Sequence, residues 1–349
     1  MLNKVVLEDM VYIAENLPPW HSLAGKTVLI TGAGGMLPSY MADTLLYLND
    51  RDAGNCIKVI GIARNRDKAL QRLSQYEKRN DFSMIIQDIC APIHLDQKID
   101  YIIHAACQAS PKYYNLDPAG MIWTNIKGMR NLLELAEKNK VEGFLYFSSS
   151  EIYGRIDPTH GCIKEADMGY IDPLDTRNCY AESKRICETL CMSWFHQFGV
   201  PVKIVRPFHT YGPGLSLDDG RVFADFVSDI VHGRNISIKG DGSTIRSFCY
   251  LADAALGYFT VLLKGEAAQA YNVGNDQCAV SILELAKLLT DLVPEKHLKV
   301  IINDVQNPGM LSKDRIAKSC PDLSKIRALG WEPVYTIREG FERTVRSFL

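Results

Sequence analysis

The fold is decided by residues 26–48, which consist of KTVLIT (26–31), GAGGMLP (32–38) and SYMADTLLYL (39–48). The first piece is a short β-branched run, the second is rich in glycine, and the third has the apolar spacing typical of a helix. We therefore predict a strand, a tight turn and a helix. Such a turn can hold a phosphate group, because the free N–H groups at a helix N-terminus attract anions. An ordinary turn between a strand and a helix is the alternative interpretation.

The same alternation continues along the chain. Apolar runs with strand character occur at 56–63, 82–87, 101–106, 143–149 and 202–207, and helical patterns separate most of them. Alternating strands and helices predict a parallel sheet covered by helices on both faces. From about residue 208 the pattern changes to glycines and short strands. We predict an α/β fold, a Rossmann doubly wound parallel sheet with a smaller C-terminal α/β substrate lobe.

These patterns divide the chain into three parts. Residues 1–24 are expected to form a helical extension, residues 25–207 the dinucleotide-binding domain, and residues 208–349 the substrate-binding lobe. Residues of about 246–275 include a long helical pattern and are expected to return to the first domain. The two domains are therefore predicted to interleave.

Composition excludes several classes of function. The 349 residues are 47% hydrophobic and 23% charged with a formal net charge of −2, which is typical of a globular protein and leaves no basic surface for nucleic acid. No stretch approaches the ~20 apolar residues of a membrane span. The ten cysteines lack paired spacing and a secretory signal. We expect a cytoplasmic protein with neither a metal site nor a nucleic-acid or membrane partner.

The glycine-rich turn carries the candidate cofactor site. Gly32 and Gly35 allow a sharp turn and the close approach of a pyrophosphate, which would rest on the helix that begins near Met36 and Leu37. Pro38 stands where a third glycine is usual. Proline is acceptable in the first helical turn, because the N–H group that it lacks has no partner there.

The second strand predicts which dinucleotide is bound. Such strands normally end in a carboxylate that binds the ribose hydroxyls and repels a 2′-phosphate, but this strand ends at Ala63, and Arg64 and Arg66 follow. The arginines favour NADP over NAD, with solvated loop charges as the alternative. Asp88 and Ile89, after the third strand, are placed to contact the adenine.

Tyr180 and Lys184 are candidate catalytic residues, because a spacing of four places them on one face of a helix. A neighbouring ammonium and an oxidised nicotinamide both lower the pKa of a phenol. Tyr180 could then move a proton while a hydride moves between substrate and nicotinamide. Ser149, at the end of a predicted strand, could hold the reacting oxygen. A pair on the helix surface and a serine that caps a turn are the alternatives.

Six short motifs together resemble those of the extended short-chain dehydrogenase/reductase family of nucleotide-sugar epimerases, dehydratases and decarboxylases. They are TGxxGxx (31–37), HAA (104–106), SSSEIYG (148–154), YxxxK (180–184), RPFHTYGP (206–213) and LGWEP (329–333). The resemblance covers roughly residues 25–349 and implies a homodimer that pairs through the helix at 181–197.

Within that family the chain is most similar to UDP-glucuronate decarboxylases. The shared stretches are ASPKYYNLDP (109–118), SSEIYG (149–154), DDGRVFADF (218–226) and GDGSTIRSFCYLAD (240–253). The resemblance implies catalytic roles for Ser149, Glu151, Tyr180 and Lys184, cofactor contacts at Ala105 and Ala106, substrate contacts at Ser150, His209, Arg221 and Arg246, and a supporting role for Asn125. Here Glu151 is an auxiliary acid or base, and the two arginines hold the diphosphate or nucleotide.

Three positions depart from the family pattern: Pro38, the pair Ala63–Arg64, and His209, which stands where asparagine is usual. His209 either changes the choice of sugar or is a buried histidine whose hydrogen bonds are satisfied within the fold.

Two of these observations narrow the choice among the reactions of the family. Dehydratases of the family have Thr-Asp-Glu where this chain has Ser149-Ser150-Glu151, so 4,6-dehydration lacks its acid. Decarboxylases and epimerases recycle a tightly held NAD, whereas a net reductase exchanges its cofactor and usually draws on NADPH. The Ala63–Arg64 pair therefore favours an NADPH-dependent 4-keto reductase of a dTDP- or UDP-linked (deoxy)hexose. The alternatives are UDP-glucuronate decarboxylase, then 4-epimerase, and outside the enzymes a catalytically dead nucleotide-binding protein.

Overall fold

The structure is a computed structural model that describes residues 2–16, 20–114, 116–157, 159–303 and 318–349. The helices are α1 (Lys4–Asn16), α2 (Met36–Arg51), α3 (Arg66–Leu73), α4 (Pro118–Asn139), α5 (Cys179–Phe198), α6 (Val222–Val231), α7 (Leu251–Lys264), α8 (Ile282–Asp291), α9 (Ser324–Arg327) and α10 (Ile337–Arg346). The strands are β1 (Thr27–Thr31), β2 (Lys58–Ala63), β3 (Phe82–Ile86), β4 (Tyr101–His104), β5 (Gly143–Phe147), β6 (Val202–Pro207), β7 (His209–Tyr211), β8 (Ile236–Lys239), β9 (Ile245–Tyr250), β10 (Gln269–Val273), β11 (Ala279–Ser281), β12 (Val300–Asn303) and β13 (Lys318–Ser319).

The large sheet has seven parallel strands in the order β10-β6-β5-β4-β1-β2-β3. Its order reverses beside β1, where the chain leaves the central strand for β2 on one side and later reaches β4 on the other. Ligands of open parallel sheets bind at such a reversal, outside the carboxyl ends of the strands. The predicted doubly wound α/β fold is confirmed.

Alternation along β1 shows how the two helical layers are held. Val28 and Ile30 pack into one core with α2 and α7, and Leu29 points to the opposite core with α4 and α5. Successive side chains of a strand point to opposite faces, so a strand covered on both sides is apolar throughout. β1 is buried at all five positions.

The smaller lobe contains β9, which pairs with β7, β11 and β13, and a separate parallel pair of β8 and β12. The chain enters this lobe after β6, then α7 packs against the large sheet and β10 joins that sheet as its edge strand beside β6. The boundaries that we predicted at residues 24/25 and 207/208 stay predictions.

Helix α1 is held by a buried acidic side chain. Asp9 is 0% exposed, and it accepts hydrogen bonds from the hydroxyls of Tyr40 and Tyr250, the second at 2.6 Å. The Arg343 guanidinium of α10 reaches the same carboxylate at 2.5 Å. A buried charge is tolerated when it is paired and hydrogen-bonded in this way. Asp9 therefore joins α1 to α2, β9 and α10.

Among the described residues, no helix is long and apolar enough to cross a membrane.

Candidate active site

The glycine turn lies where β1 meets α2. Gly32 has a φ of 73°, and a Cβ atom there would lie 2.8 Å from the Cα atom of Ala106. Glycine is required on both counts, since the turn is left-handed and approaches the chain after β4 closely. No side chain of the described residues caps α2, which begins at Met36 directly after Gly35. The first N–H groups of α2 are therefore available to an anion, and Pro38 lies within this first turn.

The end of the site where the ribose is predicted to bind, which we call the ribose end, is open to solvent. β2 ends at Ala63, and the Arg64 side chain is 63% exposed, with its Nη1 atom 4.0 Å from Oδ2 of Asp88. Arg66 is engaged elsewhere, because its Nη2 atom lies 3.3 Å from Glu77. The side chain of Ile89 is buried against α4, and the predicted contact of Asp88 and Ile89 with the adenine stays a prediction.

The proposed catalytic residues meet at the carboxyl end of β5. Tyr180 and Lys184 are 5% and 2% exposed on the first turns of α5. The Lys184 ammonium donates to the carbonyl oxygen of Phe147 at 2.6 Å and lies 5.7 Å from the centre of the Tyr180 ring. Ser149 follows Ser148 in the loop after β5 and lies close enough to the Tyr180 phenol to lower its pKa. The structure thus brings Ser149, which lies on a different element, next to the helical pair of Tyr180 and Lys184.

Asn125 supports this cluster from α4. Its Nδ2 atom donates to the hydroxyl of Ser183 at 2.8 Å, and Ser183 directly precedes Lys184. Asn125 and Arg64 both line one cleft.

The Tyr180 phenol is less acidic than a free phenol. Burial raises its pKa well above 10, and the nearby Cys107 and Glu151 raise it further, whereas the hydrogen bond to Ser149 and the charge of Arg221 lower it. We expected a lowered pKa. That expectation included the positive charge of an oxidised nicotinamide, which the protein atoms alone do not provide. Tyr180 is therefore protonated at neutral pH in the protein itself.

A second aromatic ring, which the sequence analysis missed, covers Tyr180. Tyr114 stacks on it with ring centres 5.2 Å apart and planes inclined by 13°. The Tyr114 hydroxyl donates to Oε1 of Glu151 at 3.3 Å. The ring thus connects the proposed catalytic tyrosine with the proposed auxiliary acid or base.

Glu151 faces a group of arginines. The carboxyl remains in contact with solvent, but the protein atoms around it desolvate it and raise its pKa. The Glu151 pKa is lowered by the charge of Arg177, by the hydrogen bond from Tyr114, and by the charges of Arg221 and Arg246. The sequence analysis missed Arg177 because this residue lies in a short turn before the YxxxK motif and belongs to no recognisable motif itself. Ser150 begins the 3-10 turn Ser150–Tyr153 that carries Glu151.

His209 lies on β7 between the rings of Phe223 and Phe248, at centre distances of 6.4 and 5.8 Å. Its Nδ1 atom is buried and has no hydrogen-bond partner among the residues that the structure describes. Burial, then the charges of Arg246 and Arg221, lowers the pKa of the imidazole to about 3. His209 is therefore neutral at physiological pH and is not satisfied within the described part of the fold.

Comparison with known proteins agrees with this geometry. Residues 28–274 match the model of the NAD dependent epimerase/dehydratase family. UDP-glucuronic acid decarboxylase 6 of Arabidopsis thaliana is 32% identical over 323 residues, which cover 92% of this chain and 88% of the relative.

Two solved structures share the fold at 23% identity. The UDP-glucose 4-epimerase of Thermotoga maritima with UDP-glucose has a TM-score of 0.78 and covers 92% of this chain and 98% of its own. The UDP-glucuronic acid 4-epimerase of Bacillus cereus, in complex with UDP-glucuronic acid and NAD, has a TM-score of 0.77 with the same coverage. The resemblance stated from the sequence motifs is confirmed, and the chain belongs to the NAD-dependent epimerase/dehydratase family of extended short-chain dehydrogenases/reductases.

Proposed function

We propose that this enzyme exchanges a hydride at carbon 4 of a sugar carried by a nucleoside diphosphate, and that it works as an NADPH-dependent 4-keto reductase of a dTDP- or UDP-linked (deoxy)hexose. The observation that carries the hydride exchange is the cluster formed at the sheet edge by the half-buried Ser149 and the buried Tyr180 and Lys184. A dead nucleotide-binding protein would have no need to keep the three groups together.

The direction of the reaction is supported by the protonation of Tyr180. Bound NADPH would supply the hydride to the carbonyl carbon. Tyr180, whose pKa is raised by burial, would give its proton to the carbonyl oxygen, and the Ser149 hydroxyl would hold that oxygen. Lys184, fixed by the Phe147 carbonyl, would stabilise the phenolate that the proton leaves behind.

The residues around the glycine turn fit a dinucleotide phosphate. Gly32 lies against Ala106 without a side chain between them, and Ala105 belongs to the same segment after β4. Gly35 and the first N–H groups of α2, at Met36 and Leu37, would hold the pyrophosphate.

The choice of NADP depends on Arg64. β2 ends without a carboxylate, and Arg64 is exposed with only a 4.0 Å approach to Asp88, so its guanidinium can turn to a 2′-phosphate.

The substrate diphosphate would lie between Arg221 and Arg246. The charges of both arginines lower the pKa of His209 and of Glu151, so the four side chains lie near one another. Asp219 fixes the Arg221 guanidinium with two hydrogen bonds of 2.7 and 2.8 Å. His209 would offer a neutral imidazole, and Ser150 a hydroxyl, to the sugar.

UDP-glucuronate decarboxylation is the second candidate, because the relative from Arabidopsis thaliana carries that name and matches over 92% of this chain. It would use the same residues to oxidise carbon 4, after which the β-keto acid loses carbon dioxide. A 4-epimerase ranks third.

We further propose a homodimer through α4 and α5, where Trp123, Ile186 and Phe198 are exposed.

The deciding experiment is to denature the purified protein and identify any released dinucleotide by mass spectrometry. The protein is then supplied with NADPH and a dTDP- or UDP-linked 4-keto-6-deoxyhexose, and separately with UDP-glucuronate alone. We expect no retained NAD, and one NADPH consumed per keto sugar reduced. Retained NAD with release of carbon dioxide from UDP-glucuronate would establish the second candidate instead. Absence of turnover with every nucleotide sugar tested would contradict an enzymatic role.

A further inference from the structure

Two segments far apart in sequence run side by side next to the smaller lobe. Ile163 donates its N–H group to the carbonyl of Cys320 at 2.7 Å, and Asp322 donates to the carbonyl of Ile163 at 2.8 Å. These bonds form a parallel bridge between Ile163 and Pro321. Cys162 and Cys320 each directly precede a bridged residue, so their main chains are neighbours.

The two thiols are in contact. Their Sγ atoms lie 2.7 Å apart although 158 positions separate the residues. Neighbouring strands lie about 4.7–4.9 Å apart, and disulfides join Cα atoms about 4.4–6.8 Å apart. The main chain therefore places the two cysteines within the range that a disulfide requires, with no rearrangement of either segment.

We propose that Cys162 and Cys320 form an oxidation site, at which a low-molecular-weight disulfide such as glutathione disulfide converts the two thiols into an intrachain disulfide. The Cys162 thiolate attacks one sulfur of the oxidant, forms a mixed disulfide and releases one glutathione thiolate. The Cys320 thiolate then attacks the Cys162 sulfur and releases the second. Two protein thiols are oxidised and one glutathione disulfide is reduced to two thiols.

The order of attack follows from exposure. Cys162 is half-buried and can meet a small oxidant, whereas Cys320 is 3% exposed. Burial, then the neighbouring Cys162, raises the pKa of the Cys320 thiol to about 12. Cys320 is therefore a poor first nucleophile. Once Cys162 is part of the mixed disulfide, its thiol no longer raises the pKa of Cys320, so Cys320 loses its proton more easily.

The site is placed to affect substrate binding. Ser319, which precedes Cys320, pairs with Arg246 in the register of β13 and β9. On the other side, Asn272 of β10 donates to the carbonyl of Ile163 at 2.8 Å. A disulfide would lock the strand beside Arg246 to the segment that follows the turn of Glu151. This inference does not depend on which reaction the enzyme catalyses.

The test uses the full chain equilibrated in glutathione buffers of increasing oxidation, then alkylated and mapped by mass spectrometry without reduction. We expect a linked pair of peptides carrying Cys162 and Cys320, lighter by two hydrogen atoms than their sum. Cys162→Ser and Cys320→Ser should each abolish the linked pair. Cys56→Ser, a change at an exposed cysteine, should leave it unchanged.

Thermal unfolding gives a second measurement on the same samples. Oxidised wild type should melt higher than reduced wild type, by on the order of several degrees, because the link closes a long loop in the unfolded chain. The difference should vanish in Cys320→Ser. If glutathione adds to Cys56 while Cys162 and Cys320 stay separate in wild type, the proposal is wrong.

Discussion

The two ends of the proposed cofactor site are built in opposite ways. At the reaction end, Tyr180 and Lys184 are buried, Lys184 donates a hydrogen bond to the Phe147 carbonyl of the strand below, and Tyr180 lies beside Ser149 of the loop after that strand. At the ribose end, Arg64 is 63% exposed and only loosely paired. Buried polar groups are costly to leave unpaired, so the surrounding core fixes their positions. The comparison indicates that packing fixes the proposed catalytic residues, whereas the proposed contact with the dinucleotide depends on an exposed side chain that can change without disturbing the fold.

Tyr180→Phe tests the buried end and should have the largest effect. Loss of the proton donor should lower turnover on the order of 10²–10⁴-fold, because general acid–base groups contribute that much. The affinity for NADPH and the melting temperature should change little. Steady-state kinetics measures the turnover, a cofactor titration the affinity, and thermal unfolding the melting temperature. Tyr170→Phe, at a tyrosine that is 61% exposed, is the matched control. A Tyr180→Phe enzyme with near wild-type turnover would remove Tyr180 from the mechanism.

Asp43→Asn tests the core behind the ribose end. Asp43 is buried, one of its oxygens has no partner among the described residues, and burial raises its pKa to about 7 despite Tyr76 and Arg72. Because the folded protein binds the Asp43 proton more tightly than the unfolded chain does, this carboxyl contributes stability below pH 3.8, and that contribution is lost as the pH rises to about 7. The substitution should therefore raise the free energy of unfolding at pH 8 on the order of 3 kcal/mol and leave it nearly unchanged at pH 4.

Urea unfolding at both pH values measures this difference. Asp50→Asn, on the same helix but exposed and paired with Arg79, should show no comparable gain at pH 8. Equal effects of Asp43→Asn at the two pH values would show that ionisation of Asp43 is not the cause.

Arg64→Ala tests the exposed end directly. A charge-assisted hydrogen bond contributes about 1.5–3 kcal/mol, so NADPH should bind roughly 10- to 150-fold more weakly and NADH almost as before. Ala63→Asp should reverse the preference by repelling the 2′-phosphate. Arg66→Ala, whose arginine is paired with Glu77, is the matched control and should change neither affinity much. A wild type that prefers NADH, or equal weakening of both cofactors, would refute the NADP assignment.

Tyr114→Phe should have the smallest effect. It keeps the stacked ring but removes the 3.3 Å hydrogen bond to Glu151, a loss of about 1 kcal/mol or roughly fivefold in turnover. Because this bond lowers the Glu151 pKa, any limb of the pH–rate profile that belongs to Glu151 should move to higher pH. Tyr113→Phe is the neighbouring control. A profile that stays in place would indicate that Glu151 does not titrate in the rate-limiting step.

The contrast between the two ends also explains what could be predicted from the sequence. Spacing along one helix identified Tyr180 and Lys184, and the end of an apolar run identified Ser149, because both are local patterns. Tyr114 was missed because its stacking depends on how α5 and the loop before α4 meet. The pairing of Cys162 with Cys320 joins segments 158 positions apart, and no local pattern encodes such a contact.

The Asp9 cluster has a consequence for how the protein is made. Arg343, which pairs with Asp9 at 2.5 Å, is synthesised 334 residues after it. Helix α1 therefore cannot reach its final environment until α10 has been synthesised, and contacts of such sequence separation form slowly.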